Sequence, residues 1–238
     1  MEWTAKPKTL APHEREMLRV TAHTPPAALL LVHGAGSGPW IWRDWPPSFP
    51  GTTAHAIDLH AGLDVARASH ADYAASLVSA AATLPQPLAL CGWSMGGLVV
   101  MQASAAADAH GVILIEASPP LEIQGGDTTI QPRPGTFDPE EAYGPFPNGE
   151  RARPESSLAR AERKRGISVP SLPCPSLVIY GDEFREERGL SIARRYQSAE
   201  LYFPGLNHWQ LITDGRVRQA VAAFLGLPRS TTPGRQST

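Results

Sequence analysis

Four short runs of apolar residues stand out along the chain, at 28–32 (Ala-Leu-Leu-Leu-Val), 88–91, 112–115 and 177–180. They are continuous rather than alternating, the pattern of strands buried on both faces of a parallel sheet. A fifth run, 53–57, is weaker, and a short apolar piece follows at 201–203. Between the runs lie helical patterns. Residues 71–84 carry Tyr73, Leu77 and Leu84 on one face, 95–107 are rich in Ala, Val and Met, and 214–225 place Val217, Val221, Phe224 and Leu225 at helical spacing. Strands alternating with helices predict an α/β fold with a mostly parallel sheet flanked by helices. Residues 16–23 are expected to add an antiparallel strand at the sheet edge.

The alternation breaks between residues 119 and 175, which are rich in Pro, Gly and charge and contain no strong apolar run. Only 155–166 reads as helical there, and its basic stretch 160–165 reads as a solvated face. The chain holds 24 prolines in 238 residues, about twice the average share, and many fall in this segment. It has the size of a lid inserted between two strands, dividing a core of residues 1–118 and 176–226; long irregular loops of this kind are often functional. The polar tail 227–238 is expected to be disordered. No internal repeat is visible.

Charge and cysteine content exclude several classes of function. The formal net charge of −2 supplies no field that would attract nucleic acid or anionic lipid. No stretch approaches the ~20 apolar residues of a membrane span, and the first residues carry no apolar signal segment. Two cysteines, Cys91 and Cys174, do not make a disulfide framework and read as buried thiols. These features point to a cytoplasmic protein that acts on a small molecule.

The chemistry concentrates after the strands. Gly92-Trp93-Ser94-Met95-Gly96 follows one apolar run and opens a helical pattern. Gly-x-Ser-x-Gly in that setting is a nucleophile elbow: a strained strand-to-helix turn presents the serine, and the glycines leave room for it. The pentapeptide alone is a weak signal; the strand before it and the helix after it sharpen it. At the helix N-terminus, free N–H groups favour developing negative charge. An oxyanion needs two such donors, and the N–H groups of Met95 and of Ala35, in the loop His33-Gly34-Ala35-Gly36, are the candidates. His33 reads as a brace for that loop rather than a base. His208, in Gly205-Leu206-Asn207-His208, is the best-placed base for a serine hydroxyl.

With these pieces, from about Arg19 to Leu225, the chain resembles the α/β-hydrolase superfamily. The resemblance rests on His33-Gly34, the elbow at Gly92–Gly96, Gly205–His208 and the insertion after the sixth strand. It implies an α/β-hydrolase fold with an eight-stranded, mostly parallel sheet and a Ser-acid-His triad in that chain order. The usual acid would end a Gly-x-x-Asp after the seventh strand, but Gly181-Asp182-Glu183-Phe184 has Phe184 at that position. Two carboxylates remain open. Asp182 lies two residues early. Glu116 ends the run 112–115, where a carboxylate is expensive to bury unpaired, and Glu116-Ala117 is similar to the segment where haloalkane dehalogenases carry their acid. A serine at the elbow sets the chain apart from those dehalogenases and from epoxide hydrolases, which use Asp.

Five of the six tryptophans, Trp40, Trp42, Trp45, Trp93 and Trp209, flank the motifs. Trp40, Trp93 and Trp209 are candidates to line an apolar substrate pocket; packing beneath the loops is the competing reading. His55, Asp58 and His60 are metal-ligand residue types, but nothing completes a site. No phosphate or dinucleotide loop appears, so neither metal nor cofactor is expected. The expected activity is cofactor-free serine hydrolysis of a small carboxylic ester or related acyl compound through an acyl-enzyme. The alternatives are carbon–carbon bond hydrolysis, lactone opening or perhydrolysis on the same triad, or a ligand-binding protein that has lost catalysis.

Overall fold

A computed structural model describes residues 25–147 and 150–228. The expected strand at 16–23 and nearly all of the tail fall outside those residues. Six strands form one sheet in the order β2-β1-β3-β4-β7-β8: β1 Ala28–Val32, β2 Thr53–Ile57, β3 Leu88–Trp93, β4 Ala109–Ile115, β7 Ser176–Tyr180 and β8 Ala199–Tyr202. Every neighbouring pair is parallel. The resemblance implied eight strands; among the described residues the main sheet has six.

The continuous apolar runs are explained by burial on both faces. Leu30, Val32, Leu88 and Leu90 point to the side covered by α1 (His70–Ala81) and α2 (Met95–Ala103). Leu29, Leu31, Ala89 and Cys91 point to the other side, packed against Trp42, Trp45 and α8 (Gly215–Phe224). Strand β2 lies at the edge and its side chains are largely exposed or half-buried, which accounts for its weaker signal. Cys91 is fully buried as expected, whereas Cys174 is only partly so.

Helix ends depart from the periodicity where side chains cap them. Helix α1 begins at His70 because Ser69 and Asp72 form a reciprocal capping box. Helix α2 stops at Ala103, four residues before the apolar pattern ends. There Ser104 Oγ donates back to the Met101 carbonyl at 3.0 Å, and Asp108 takes a left-handed φ of 50° as the chain turns into β4.

Between β4 and β7 the chain is stapled by short elements: α3 Leu121–Gln124, β5 Thr136–Phe137, α4 Pro139–Tyr143, β6 Glu155–Ser156 and α5 Ser157–Arg165. Strands β5 and β6 pair antiparallel. The helix expected from residue 155 therefore starts two residues later: Glu155 is a buried strand residue, and the Ser156 hydroxyl caps α5 by accepting the Ala159 N–H. Nor is 160–165 simply a solvated face. The Arg160 guanidinium sits 4.5 Å over the Phe137 ring, and its Nε is buried. Helix α6 (Ser191–Tyr196) precedes β8, and after β8, α7 (Gln210–Thr213) leads into α8. Among the described residues, no helix is long and apolar enough to cross a membrane.

Candidate active site

The strand order reverses between β1 and β3, because the chain runs outward to β2 and then returns to the other side of β1. At such a switch point, the loops leaving adjacent strands separate and open a crevice at the carboxyl ends. Val32 pairs with Gly92 across it, so the loops beginning at His33 and Ser94 emerge side by side.

Ser94 is held at φ 56° and ψ −124° immediately before α2, a backbone conformation that a non-glycine residue adopts only when its surroundings impose it. The Ser94 N–H donates to Ile115 O at 3.0 Å, and Ser94 O accepts the Ser118 N–H at 2.8 Å. The flanking glycines are required by contact. A Cβ on Gly92 would stand 2.4 Å from Gly96 O, and one on Gly96 would stand 2.4 Å from His33 O. Met95 is the first residue of α2, so its N–H has no partner within the helix.

His208 and Glu116 are brought together. The His208 Nδ1–H donates to Glu116 Oε2 at 2.6 Å, which leaves Nε2 as the ring's acceptor. Glu116 is fully buried; its second oxygen accepts the Gly181 N–H at 2.8 Å, so the buried charge is bonded on both oxygens. Glu116 itself takes a φ of 38°. Asp182 lies elsewhere: its oxygens accept the Tyr202 hydroxyl and, at 2.9 Å, the Gly205 N–H. Phe184 presents its ring edge to His208 at 5.3 Å between centroids. Trp93 also packs against the imidazole, at 4.6 Å between centroids, and donates its Nε1–H to His208 O at 3.1 Å. Burial lowers the His208 pKa below its ordinary value, and the Arg188 charge adds to this against the pull of Glu116.

Ser94, His208 and Ala35 all line one cavity of about 500 Å³. Trp93, Phe146, Phe184 and Trp209 form its apolar wall. Trp40 does not reach it. It lines a neighbouring cavity of about 300 Å³ together with Trp209, because the turn Pro39–Trp42 carries it past the Phe146 ring at 6.4 Å. Trp42 and Trp45 are core residues, stacked edge to face at 4.6 Å.

The loop bearing Ala35 is clamped from two directions. His33, fully buried, donates Nδ1–H to Gly34 O at 2.9 Å and accepts the Leu59 N–H on Nε2 at 3.1 Å. From the 119–175 segment, Arg153 donates to Ser37 O through Nη2 at 2.6 Å and Nε at 3.1 Å, while its N–H reaches Gly36 O at 2.7 Å. Asp58 pairs with the same guanidinium at 2.9 Å. Glu155, 1% exposed, accepts the Gly36 N–H at 3.0 Å and binds His60 at 3.2 Å and the Tyr73 hydroxyl. Asp58 and His60, which resembled metal ligands, are thus engaged with Arg153 and Glu155. Arg153 and Glu155 carried no local sequence signal, since their partners lie far away in the chain.

Burial raises the Glu155 pKa, but the bonds from His60, Tyr73 and Gly36 outweigh it and hold the carboxyl at about 2, against an ordinary 4.5. Its contribution to stability is therefore complete above about pH 4.5 and is lost as pH falls toward 2, on the order of 3 kcal/mol in all. Glu155→Gln is expected to be less stable at neutral pH and to lose less between pH 5 and 3 than the wild type. Urea unfolding across that range checks this; parallel pH profiles for the two proteins would contradict it.

A model of the alpha/beta hydrolase family matches residues 29–223. A structure from work on LipS and LipT, two metagenome-derived lipolytic enzymes, is 21% identical with a TM-score of 0.61, over 85% of this chain and 95% of that one. A lipase-esterase related protein from Clostridium acetobutylicum is 15% identical with a TM-score of 0.62, over 86% and 96%. The type II thioesterase BorB from the borrelidin biosynthetic cluster is 15% identical with a TM-score of 0.60, over 94% and 97%. A search of curated sequences gives no match. At these identities the solved structures show the fold alone, but the family model spans the sheet, the elbow and the loop bearing His208. The chain belongs to the alpha/beta hydrolase family.

Proposed function

We propose that this hydrolase is a cofactor-free serine enzyme that cleaves a small carboxylic ester or related acyl substrate. One observation carries the reading: the strained Ser94 and His208, whose Nδ1–H is held by the buried Glu116, line the same cavity. In this mechanism Ser94 Oγ attacks the acyl carbon while His208 Nε2 takes its proton. The carbonyl electrons move onto oxygen, and the N–H groups of Met95 and Ala35 receive that oxyanion. Its collapse expels the leaving group, which takes the proton from His208. Water then repeats the sequence on the acyl-enzyme and frees Ser94. Glu116 keeps the proton on Nδ1 and stabilises the imidazolium.

The 119–175 segment acts here as the lid. Tyr143, Phe146 and Arg163 from it line the cavity, and Arg153 and Glu155 hold the oxyanion loop in position. The aromatic wall favours an apolar acyl or aromatic portion. Phe184 at the usual acid position would favour a chain that has lost catalysis; the bond between Glu116 and His208 supplies the histidine with another carboxylate and speaks for the enzyme. Two partly or fully buried free thiols fit a cytoplasmic setting.

A panel of 4-nitrophenyl esters, lactones, β-diketones and peracid assays tests the reaction class. Ester turnover well above the others is expected, and turnover of the diketones alone would overturn the ester reading. Because burial lowers the His208 pKa, the base is free of its proton below the ordinary histidine value near 6.5. The acid limb of kcat/KM for a neutral ester is expected to fall below pH 6.5, as followed by initial rates from pH 4.5 to 8; a limb above pH 7 would contradict this role.

A further inference from the structure

One side of the cavity is unlike the rest. Beside the aromatic wall, Arg163, Lys164 and Arg188 line the same space as Ser94 and His208. Arg188 stacks over the Phe184 ring at 3.8 Å, and that ring meets His208 edge-on at 5.3 Å, so one aromatic ring separates the guanidinium from the base. The Arg188 side chain is only 20% exposed, and its Nε contacts Glu187 at 3.3 Å, a carboxylate that is itself 59% exposed. Arg163 spends one donor on the Tyr143 hydroxyl at 3.1 Å. Two carboxylates share the lining: Glu187 partners Arg188, and Glu183 accepts the His208 N–H at 3.1 Å. Burial lowers the Arg188 pKa, and the nearby Arg163 charge adds to this against the pull of Glu187 and Glu116.

Glu187 offsets Arg188, but the three cations outnumber the two carboxylates of the lining, and such an excess of positive charge beside an apolar wall is unfavourable unless a further anion compensates it. Arginine is suited to that task, because its fork of donors binds carboxylate and phosphate in a fixed geometry. We infer that the cavity is a subsite for an anionic group, and that the ester cleaved at Ser94 carries a carboxylate or phosphate which Arg163, Lys164 and Arg188 hold at the mouth while the apolar portion lies along the aromatic wall. This rests on the serine-hydrolase reading and specifies its substrate class. The cations would fix the orientation of the ester before Ser94 attacks, which lowers KM and aligns the acyl carbon.

Two measurements test this, one of which does not depend on turnover. In the first, kcat/KM is compared for 4-nitrophenyl hydrogen glutarate, whose acyl chain ends in a carboxylate, and neutral 4-nitrophenyl butyrate. The wild type is expected to favour the glutarate. Arg163→Gln should lower the glutarate-to-butyrate ratio at least tenfold, Arg163→Glu should lower it further, and Arg163→Lys should restore part of it. A ratio that stays within twofold across these variants would overturn the inference, as would a wild-type preference for butyrate. In the second, folded Ser94→Ala protein is titrated calorimetrically with monobutyl glutarate and with butyl phosphate, with and without Arg163→Gln. Binding that weakens at least tenfold on losing Arg163 supports the subsite, and the tighter ligand shows which anion it takes. If neither anion binds, the subsite is refuted. If the anions bind but wild-type protein cleaves no ester, the hydrolase reading fails and the anion site stands.

Discussion

Replacing Ser94 by alanine is expected to lower ester turnover by about 10⁴- to 10⁶-fold, the range seen when a hydrolase nucleophile is removed. The fold should survive. Ser94 is held by backbone bonds to Ile115 and Ser118 that alanine also makes, and no glycine contact at the elbow involves the hydroxyl oxygen. The residue does occupy a φ of 56°, so alanine inherits the backbone strain without adding to it. Thermal unfolding of the variant within a few degrees of the wild type, together with lost turnover, is the expected pair of results. Turnover within tenfold of the wild type would remove Ser94 from the mechanism.

The second large effect separates the two carboxylates that the sequence left open. Glu116→Gln is expected to lower kcat by about 10⁴-fold, because an amide in place of the carboxylate favours the wrong histidine tautomer and withdraws support from the imidazolium. Asp182→Asn is expected to stay within a few-fold, since its oxygens serve Tyr202 and the Gly205 N–H. Steady-state kinetics on both variants, with circular dichroism as a check on folding, decide the matter. Equal losses, or a larger loss for Asp182→Asn, would contradict the assignment.

Why the two acids were hard to separate follows from the sheet. Strands β4 and β7 are neighbours, with Ile115 paired to Ile179, so their carboxyl ends lie about one strand spacing apart, near 4.8 Å. An acid at either end can approach a histidine entering from the loop after β8. Only three-dimensional placement shows that the Gly181 N–H turns toward Glu116 and that Phe184 packs against the imidazole instead.

The strands were legible because both faces of the sheet are buried, which leaves uninterrupted apolar runs such as 28–32. The elbow was legible because its demands are local: Gly92 and Gly96 meet within one turn. Helix ends were less so. Ser104 and Asp108 end α2 early through a side-chain bond and a left-handed residue, and neither disturbs the apolar period. The clamp on the loop bearing Ala35 was illegible. Glu155 reaches Gly36 across 119 residues, and Arg153 reaches Asp58 across 95; no sequence period relates such positions. Trp40 shows the opposite failure, a residue close to the motif in sequence that the turn Pro39–Trp42 carries into another cavity.

The central claim is that Ser94 is an activated nucleophile. Its most direct test is the intact mass of the protein after exposure to a fluorophosphonate, comparing wild type with Ser94→Ala. Attack by Ser94 Oγ on phosphorus expels fluoride and leaves a covalent phosphonate, a step that needs the base and the oxyanion donors but no knowledge of the substrate. The account predicts one adduct on the wild type and none on Ser94→Ala. A folded wild type that takes up no adduct, or an alanine variant that takes up the same one, would contradict it.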